Sequence, residues 1–486
     1  MKRIISLLIV LMIALSLCAC DLDFSSQIES ISDSIFNQIV DAGGGLLKED
    51  TSSNDDYNYD HELLETDTST DTETDTETET ETDTETTPDT PDVPDVPVEP
   101  EKPALVLYER TRVALHNYIA LNLTNANHKA PIKAYGGARL YRDFATLAND
   151  SDAYAFFSIN GVAPIIHLDA QISDASDDTI LSYASKLNAF ALAFGTTAFY
   201  NVTHVEIGTE PDSSISAQDY ARLLNACYDG ANDTLGEGYG IAEHNPKIKI
   251  ISGQLTSIQT QYIKDVMTEI GNLRTDGFLP IGGWSINYVT GNTPERGYLN
   301  NNPLKSLVEY RDRYYPNMEL HLNSFAWDTV NTESSNFVNG YSVYSSEEMQ
   351  CAYILRTYMI LNSMGIDRAT IKTYQDTDDD CSGIVTKDGE KKVAYGGLET
   401  FKRVAYGMYF KKALINGEND TYVYLFEDAN GKQLIGAWTA LGTAEYTPSS
   451  ACTVYTYDQA SKSFTSADNS ASAITLTAMP TFIVIG

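Results

Sequence analysis

The chain has 486 residues, with 68 Asp and Glu against 32 Lys and Arg, for a formal net charge of −36. That balance argues against nucleic acid as a partner, because no basic patch could neutralise phosphates. The seven histidines show no paired metal-ligand spacing, so neither a metal nor any other cofactor is expected.

Lys2 and Arg3 precede a largely apolar run from Ile4 to Leu17. It is short for a bilayer span and has the form of a signal-peptide core. It ends in Leu17-Cys18-Ala19-Cys20, which resembles a bacterial lipobox with Cys20 as the lipidated residue. The resemblance implies residues 1–20 as a lipoprotein signal and a membrane-anchored protein on the bacterial cell surface. The plainer alternative is secretion with cleavage near Ala19. Residues 21–103 join this anchor to the folded part. Gln27 to Leu47 has some helical apolar spacing. From Asp50 to Lys102 the chain is Thr, Glu and Asp, then proline-rich, and it carries more than half of the net charge. Such a segment has little to bury and repels itself, so an extended stalk is expected.

From about Ala104 the texture becomes globular. Apolar β-type runs occur at Ala138–Tyr141, Val162–Leu168, His204–Ile207, Ile248–Ser252, Gly283–Tyr288, Met318–Phe325 and Ala369–Tyr374. Between them lie helical patterns at Asp177–Phe194, Ser216–Ala231, Ile258–Leu273, Pro303–Tyr315 and Ser346–Met364. Ser216 and Asp219 form a capping start. The alternation predicts a (β/α)8 TIM barrel over 104–414, with the remaining strand between Leu105 and Ala134. An open doubly wound sheet is disfavoured, since no Gly-rich phosphate loop follows the first strand. After Leu414, short strands at Tyr422–Phe426, Leu434–Trp438, Cys452–Tyr457, Ile474–Leu476 and Phe482–Ile485 predict a small all-β sandwich over 415–486. Cys227, Cys351, Cys381 and Cys452 suit buried thiols or one disulfide.

The stretch Val205-Glu206-Ile207-Gly208-Thr209-Glu210-Pro211-Asp212 is a strand that stops on a carboxylate and a proline. Reactive groups of such barrels sit where strands end. This octapeptide resembles the acid/base strand of the clan A glycoside hydrolases, where Asn-Glu-Pro is usual. The likeness extends to Ala138–Phe144, Val162–Asp169, Ile248–Gly253, Trp284–Tyr288, Leu322–Thr329 and Ile371–Asp376, and covers most of 134–486. It is nearer to the β-xylosidase and heparanase-like branches than to the cellulases. The resemblance implies a glycan or oligosaccharide partner and makes Glu210 the candidate acid/base. It implies substrate contacts from Arg139, Tyr141, Asp143, His167, Asp169, Glu206, Trp284, Asn287, Tyr288, Trp327 and Tyr374. Glu206 is expected deeper in the barrel, as a supporting partner.

Three positions depart from the family pattern. Thr209 replaces asparagine, Asn287 replaces histidine, and Ser324 replaces the nucleophilic glutamate. A serine hydroxyl without a base is a poor nucleophile and carries no charge to stabilise an oxocarbenium-like transition state. The favoured expectation is therefore a glycan-binding pseudoenzyme. The alternatives are a hydrolase that uses another carboxylate (Asp376 first, then Asp328, Asp169 or Asp143) and a surface adhesin or scaffold. Asp376-x-Asp378-x-Asp380 begins like a calcium loop, but Cys381 and Lys387 break the pattern, so a solvated acidic loop is expected.

Overall fold

The structure is a computed structural model that describes residues 110–123, 132–142, 157, 160, 162–195, 202–290, 293–300, 303–329 and 346–486. Cys20, the acidic stalk and Asp143 lie outside the described residues, as do the side chains of Tyr141 and Asp169.

Eight parallel strands close a barrel in the order β1 to β8. They are β1 (Ile119–Leu123), β2 (Gly137–Arg142), β3 (Ala163–Gln171), β4 (His204–Thr209), β5 (Lys249–Gln254), β6 (Gly283–Ile286), β7 (Glu319–Phe325) and β8 (Arg368–Ile371). The strand left unplaced by sequence is β1. It lies inside the expected window and closes the ring by pairing with both β2 and β8. The outward pleat face is apolar and nearly solvent-free, as at Val205, Ile207, Ile250, Trp284, Leu320 and Leu322. Helices α1 (Asp177–Phe190), α2 (Ala217–Asp229), α3 (Thr260–Leu273), α4 (Pro303–Tyr314), α5 (Glu347–Ser363) and α6 (Val393–Val404) cover that face. Their starts follow local chemistry: Ser176, Ser216 and Ser346 each accept a backbone N–H three residues on. Gly230, at φ 63°, ends α2 in the left-handed region.

The chain then forms a six-stranded antiparallel sheet, ordered β14-β13-β16-β11-β10-β9, and a two-stranded ribbon β12–β15. Its strands are β9 (Tyr409–Asn416), β10 (Thr421–Glu427), β11 (Gln433–Thr439), β12 (Ala444–Tyr446), β13 (Cys452–Asp458), β14 (Ser463–Asn469), β15 (Ile474–Leu476) and β16 (Thr481–Ile485). One face joins the barrel: Phe482 stacks on Phe401 of α6 at 5.2 Å, and Gly436 leaves room for Met359 of α5. The other face packs Val423, Leu425, Ile435 and Ile483 with Ile474 and Leu476 of the ribbon. The result is a sandwich of unequal layers. It starts at Tyr409, earlier than the sequence suggests, because β9 is a mostly exposed edge strand without an apolar alternation. Polar β14 escaped notice for the same reason. Cys227, Cys351, Cys381 and Cys452 are all free thiols.

The ends of β4 and β5 are held from outside by one phenol. Tyr220 of α2 donates to the Ile207 carbonyl at 2.7 Å and accepts the Gly253 N–H at 2.7 Å. Gly253 has no space for a side chain, since a Cβ there would lie 2.2 Å from the Gly208 oxygen. Tyr220→Phe is expected to lower unfolding free energy by about 1–3 kcal/mol, because two buried backbone groups lose their partner. Urea denaturation, with an unchanged slope, checks this.

Candidate functional site

The barrel interior is polar and arranged in tiers. At the N-terminal end, Glu319 of β7 accepts from Lys249 at 2.5 Å, from His204 Nε2 at 3.0 Å and from His321 Nε2 at 2.7 Å. Thr203 Oγ1 lies 2.7 Å from His204 Nδ1, so a neutral ring can accept from Thr203 and donate to Glu319. Burial keeps that ring neutral, pushing its pKa down to about 4 against the opposing pull of Glu319. His204, Glu319 and His321 are close enough to share a metal ion. The Lys249 ammonium already neutralises the carboxylate, and each imidazole Nε2 is used as a donor to it. The cluster is a set of donors around Glu319.

The middle tier is built around Glu206, which has no exposed side-chain surface. Burial alone would raise its pKa, but Arg139 and His167 outweigh it and hold the carboxyl at about 2. Arg139 reaches Glu206 Oε2 through Nε at 2.8 Å and Nη2 at 2.7 Å. His167 Nδ1 lies 2.8 Å from the same oxygen, and Asn323 Nδ2 donates to Oε1. Asn323 also donates to Ser285 Oγ at 2.6 Å and accepts from Thr370 at 3.1 Å. Arg139 donates onward to Asn122 at 3.2 Å. Glu206, Arg139 and His167 hold one another at 0%, 0% and 1% exposure, so the substrate contacts expected of them have almost no open surface to form on. Asn323, Ser285, Thr370 and Asn122 were not singled out by sequence. The signal was present: Glu319, His321 and Asn323 alternate with Leu320 and Leu322, which marks a polar inward face.

The upper tier begins at Thr209, whose hydroxyl lies 3.1 Å from His167 Nε2. Glu210 follows in the left-handed region, at φ 47° and ψ 52°. Glutamate is disfavoured there by about 1–2 kcal/mol. The conformation is fixed by its neighbours. Its N–H donates to the Gln254 carbonyl at 2.9 Å, and its own carbonyl accepts from Ser213 Oγ at 2.8 Å. Asp212, one residue past the proline, ties the turn to β5 by accepting the Thr256 N–H at 3.0 Å. The Glu210 carboxylate itself is half-buried and makes no hydrogen bond or ion pair among the described residues.

Ser324 reaches the interior through a bulge. Between Leu322 and Phe325, β7 has one residue more than β8, so Asn323 and Ser324 both turn inward. Ser324 Oγ donates to Asn287 Oδ1 at 2.9 Å and is 5% exposed. Ser324 and Asn287 are thus each other's partner. Asn287 offers an amide oxygen, which cannot take up the serine proton as a base would.

The remaining candidates separate. Asp376 is committed to a loop ion pair with Lys392 at 2.6 Å and accepts the Gly383 N–H at 2.8 Å. Burial lifts its pKa above the ordinary carboxylate value, with Lys392 opposing. The substrate contacts expected of Trp284 and Trp327 need correction. Each is 1% exposed, Trp284 on the outward pleat face and Trp327 against Phe325 and Tyr353 at 5.8 and 5.4 Å. The run containing Trp284 was read without its phase. Inward Gly283 and Ser285 flank it and turn it toward the helices. Tyr288, Tyr374 and Asp328 are half-buried, on the segments that follow β6, β8 and β7.

No protein-family model matches the chain, and no curated protein matches it. Solved structures do match in fold. A family 39 glycoside hydrolase from the gut symbiont Bacteroides cellulosilyticus WH2 superposes with a TM-score of 0.57 at 15% identity, over 77% of this chain and 82% of that one. A glucosidase from Croceicoccus marinus superposes with a TM-score of 0.53 at 10% identity, over 78% and 96%. The chain therefore has the barrel-plus-β fold found in clan A glycoside hydrolases.

The depressed pKa values of His204 and Glu206 link stability to pH with the same sign. The unfolded chain binds protons at His204 from about 6.5 and at Glu206 from about 4.5, whereas the folded chain resists until about 4 and about 2. Each contribution is complete above the unfolded value and is lost as pH falls through the folded one. His204→Gln should flatten the stability profile between pH 6.5 and 4. Glu206→Gln should flatten it below 4.5 and lower stability at pH 7 by about 3–5 kcal/mol, leaving Arg139 buried without its counter-charge. Denaturant midpoints measured across pH check both.

Proposed function

We propose that this protein is a cell-surface glycan-binding protein built on a glycoside hydrolase barrel, with its hydrolytic pair dismantled. The observation that carries the reading is the Ser324–Asn287 hydrogen bond. The hydroxyl at the nucleophile's place is spent on a neutral amide, and the carboxylates Glu206 and Asp376 are bound up in ion pairs. The ligand would lie over Glu210, Thr209, Asn287 and Tyr288, where an unpaired carboxylate and amide groups suit sugar hydroxyls. Cys20 would carry the lipid, and the acidic stalk would hold the barrel away from the membrane. Loss of lipid-precursor labelling in Cys20→Ser checks the anchor, and labelling that persists there overturns it.

A second reading has one observation in its favour. The unpaired Glu210 carboxylate, on a strained backbone, suits a general acid. It would need another carboxylate such as Asp328 about 6.5–9.5 Å away to activate water. Xylo-, cello- and laminari-oligosaccharides and the corresponding aryl glycosides separate the two. Binding without turnover, weakened about tenfold or more by Tyr288→Ala and by Glu210→Gln, supports the binding protein. Turnover that disappears in Glu210→Gln overturns it in favour of the hydrolase.

A further inference from the structure

The segment after β6 carries Asn287 and Tyr288 and then makes a π-helical turn, Glu295–Leu299. A turn of this kind is less stable than an α-helical one and is found preferentially at functional sites. Here it is fastened on both sides. On the side of the candidate site, Tyr288 donates to the Gly297 carbonyl at 3.3 Å, and Tyr298 donates to the Tyr288 carbonyl at 3.4 Å. The two rings meet edge to face at 5.8 Å. Gly297 is packed so closely on Thr290 that a Cβ would lie 2.2 Å from its hydroxyl.

On the far side, Glu295 is 3% exposed, and its Oε1 accepts the indole N–H of Trp438 at 2.7 Å. Trp438 belongs to β11 of the C-terminal sheet and is stacked on Tyr422 at 5.3 Å, so the donor is fixed. Arg356 of α5 gives the second contact, weaker at 3.4 Å, and spends its Nε on the Ala478 carbonyl at 2.8 Å. A buried carboxylate so placed is expensive to leave unpaired, and the indole is its shortest contact.

We infer that the C-terminal sheet sets the ligand face of the barrel, with Trp438 and Glu295 as positioning residues for Tyr288 and Asn287. The connection runs from the sheet through the Trp438–Glu295 hydrogen bond, with a weaker path through Arg356, to the π turn, from the turn to the Tyr288 ring and backbone, and from there to the adjoining Asn287 that holds Ser324. A sheet that were only a buttress would need apolar contact with α5 and α6 and no buried acceptor in the loop after β6. The inference bears on the glycan site proposed above, but its principal test needs no ligand.

Hydrogen exchange by mass spectrometry on the full chain, with Trp438→Phe and Glu295→Gln, makes that test. Trp438→Phe keeps an aromatic side chain, smaller than the indole, and removes the donor, while Glu295→Gln removes the charge of the acceptor at unchanged volume. The expected result is about tenfold faster exchange, or more, confined to residues 287–299, with residues 204–214 and β10–β11 unchanged. Exchange unchanged at 287–299, or raised evenly over sheet and barrel, overturns the inference and leaves the sheet a buttress. Trp438→Tyr, which restores a ring with a donor on the same strand, should return part of the protection; protection no better than in Trp438→Phe counts against a positioning bond. If an oligosaccharide from the panel above binds, its affinity should fall in Trp438→Phe without a matching fall in melting temperature. Failure of every oligosaccharide to bind would sink the glycan reading and leave the exchange result standing.

Discussion

The burial of Glu206 is the constraint on which the rest of the barrel depends. An ionised carboxylate without exposed surface is tolerated only when its oxygens are met by donors of matching charge. Here the donors come from three other strands: Arg139 on β2, His167 on β3 and Asn323 on β7. Their geometry fixes the register of four strands from inside, where many barrels rely on layers of branched aliphatic side chains. A one-residue slip in any of them would exchange an apolar outward residue for a charged inward one.

The same constraint shapes the site above it. Asn323 must face inward to reach Glu206, yet Ser324 also faces inward, and both are possible only because β7 is bulged there. The bulge is therefore a structural necessity, whatever residue stands at position 324. His167 links the layers, with Glu206 at one ring nitrogen and Thr209 at the other. Glu210 then stands on a scaffold that is rigid below, with backbone strain held by Gln254, Ser213 and Asp212. Such a platform would orient a ligand whether or not a nucleophile faces it.

Much of this was legible in the sequence, for identifiable reasons. The barrel was readable because its outward faces are strongly apolar and three of its helices start on serine caps, signals that are local. Glu210 was readable because proline after a strand-ending carboxylate punctuates the chain. Trp284 was misplaced because a run such as Trp284-Ser285-Ile286-Asn287 has a phase that only its neighbours on β5 and β7 define. Asp376 looked available because Lys392, sixteen positions on, is brought to it by a loop whose path has no periodicity. The edge strand β9 and polar β14 lack the alternation that marks a half-buried strand. The Glu206 network was half visible, since the alternation of Glu319, His321 and Asn323 announced a polar interior without saying which side chains would meet.

On the proposal that Ser324 stands where a nucleophile would be, a specific physical problem arises. Removing one member of a close carboxylate pair relieves the repulsion that the pair imposes, and it also removes an acceptor for the donors around it. Ser324 and Asn287 resolve this locally: the shorter hydroxyl donates to an amide oxygen, so neither the charge of a carboxylate nor that of a protonated histidine is left uncompensated. On that proposal, positions 287 and 324 act as one unit rather than two. Glu210 needs no such compensation, because its half-buried carboxylate keeps access to water. An acid with no ion pair among the described residues, on a barrel that also carries a neutral hydroxyl–amide pair, has the polarity that the proposed glycan-binding reading requires.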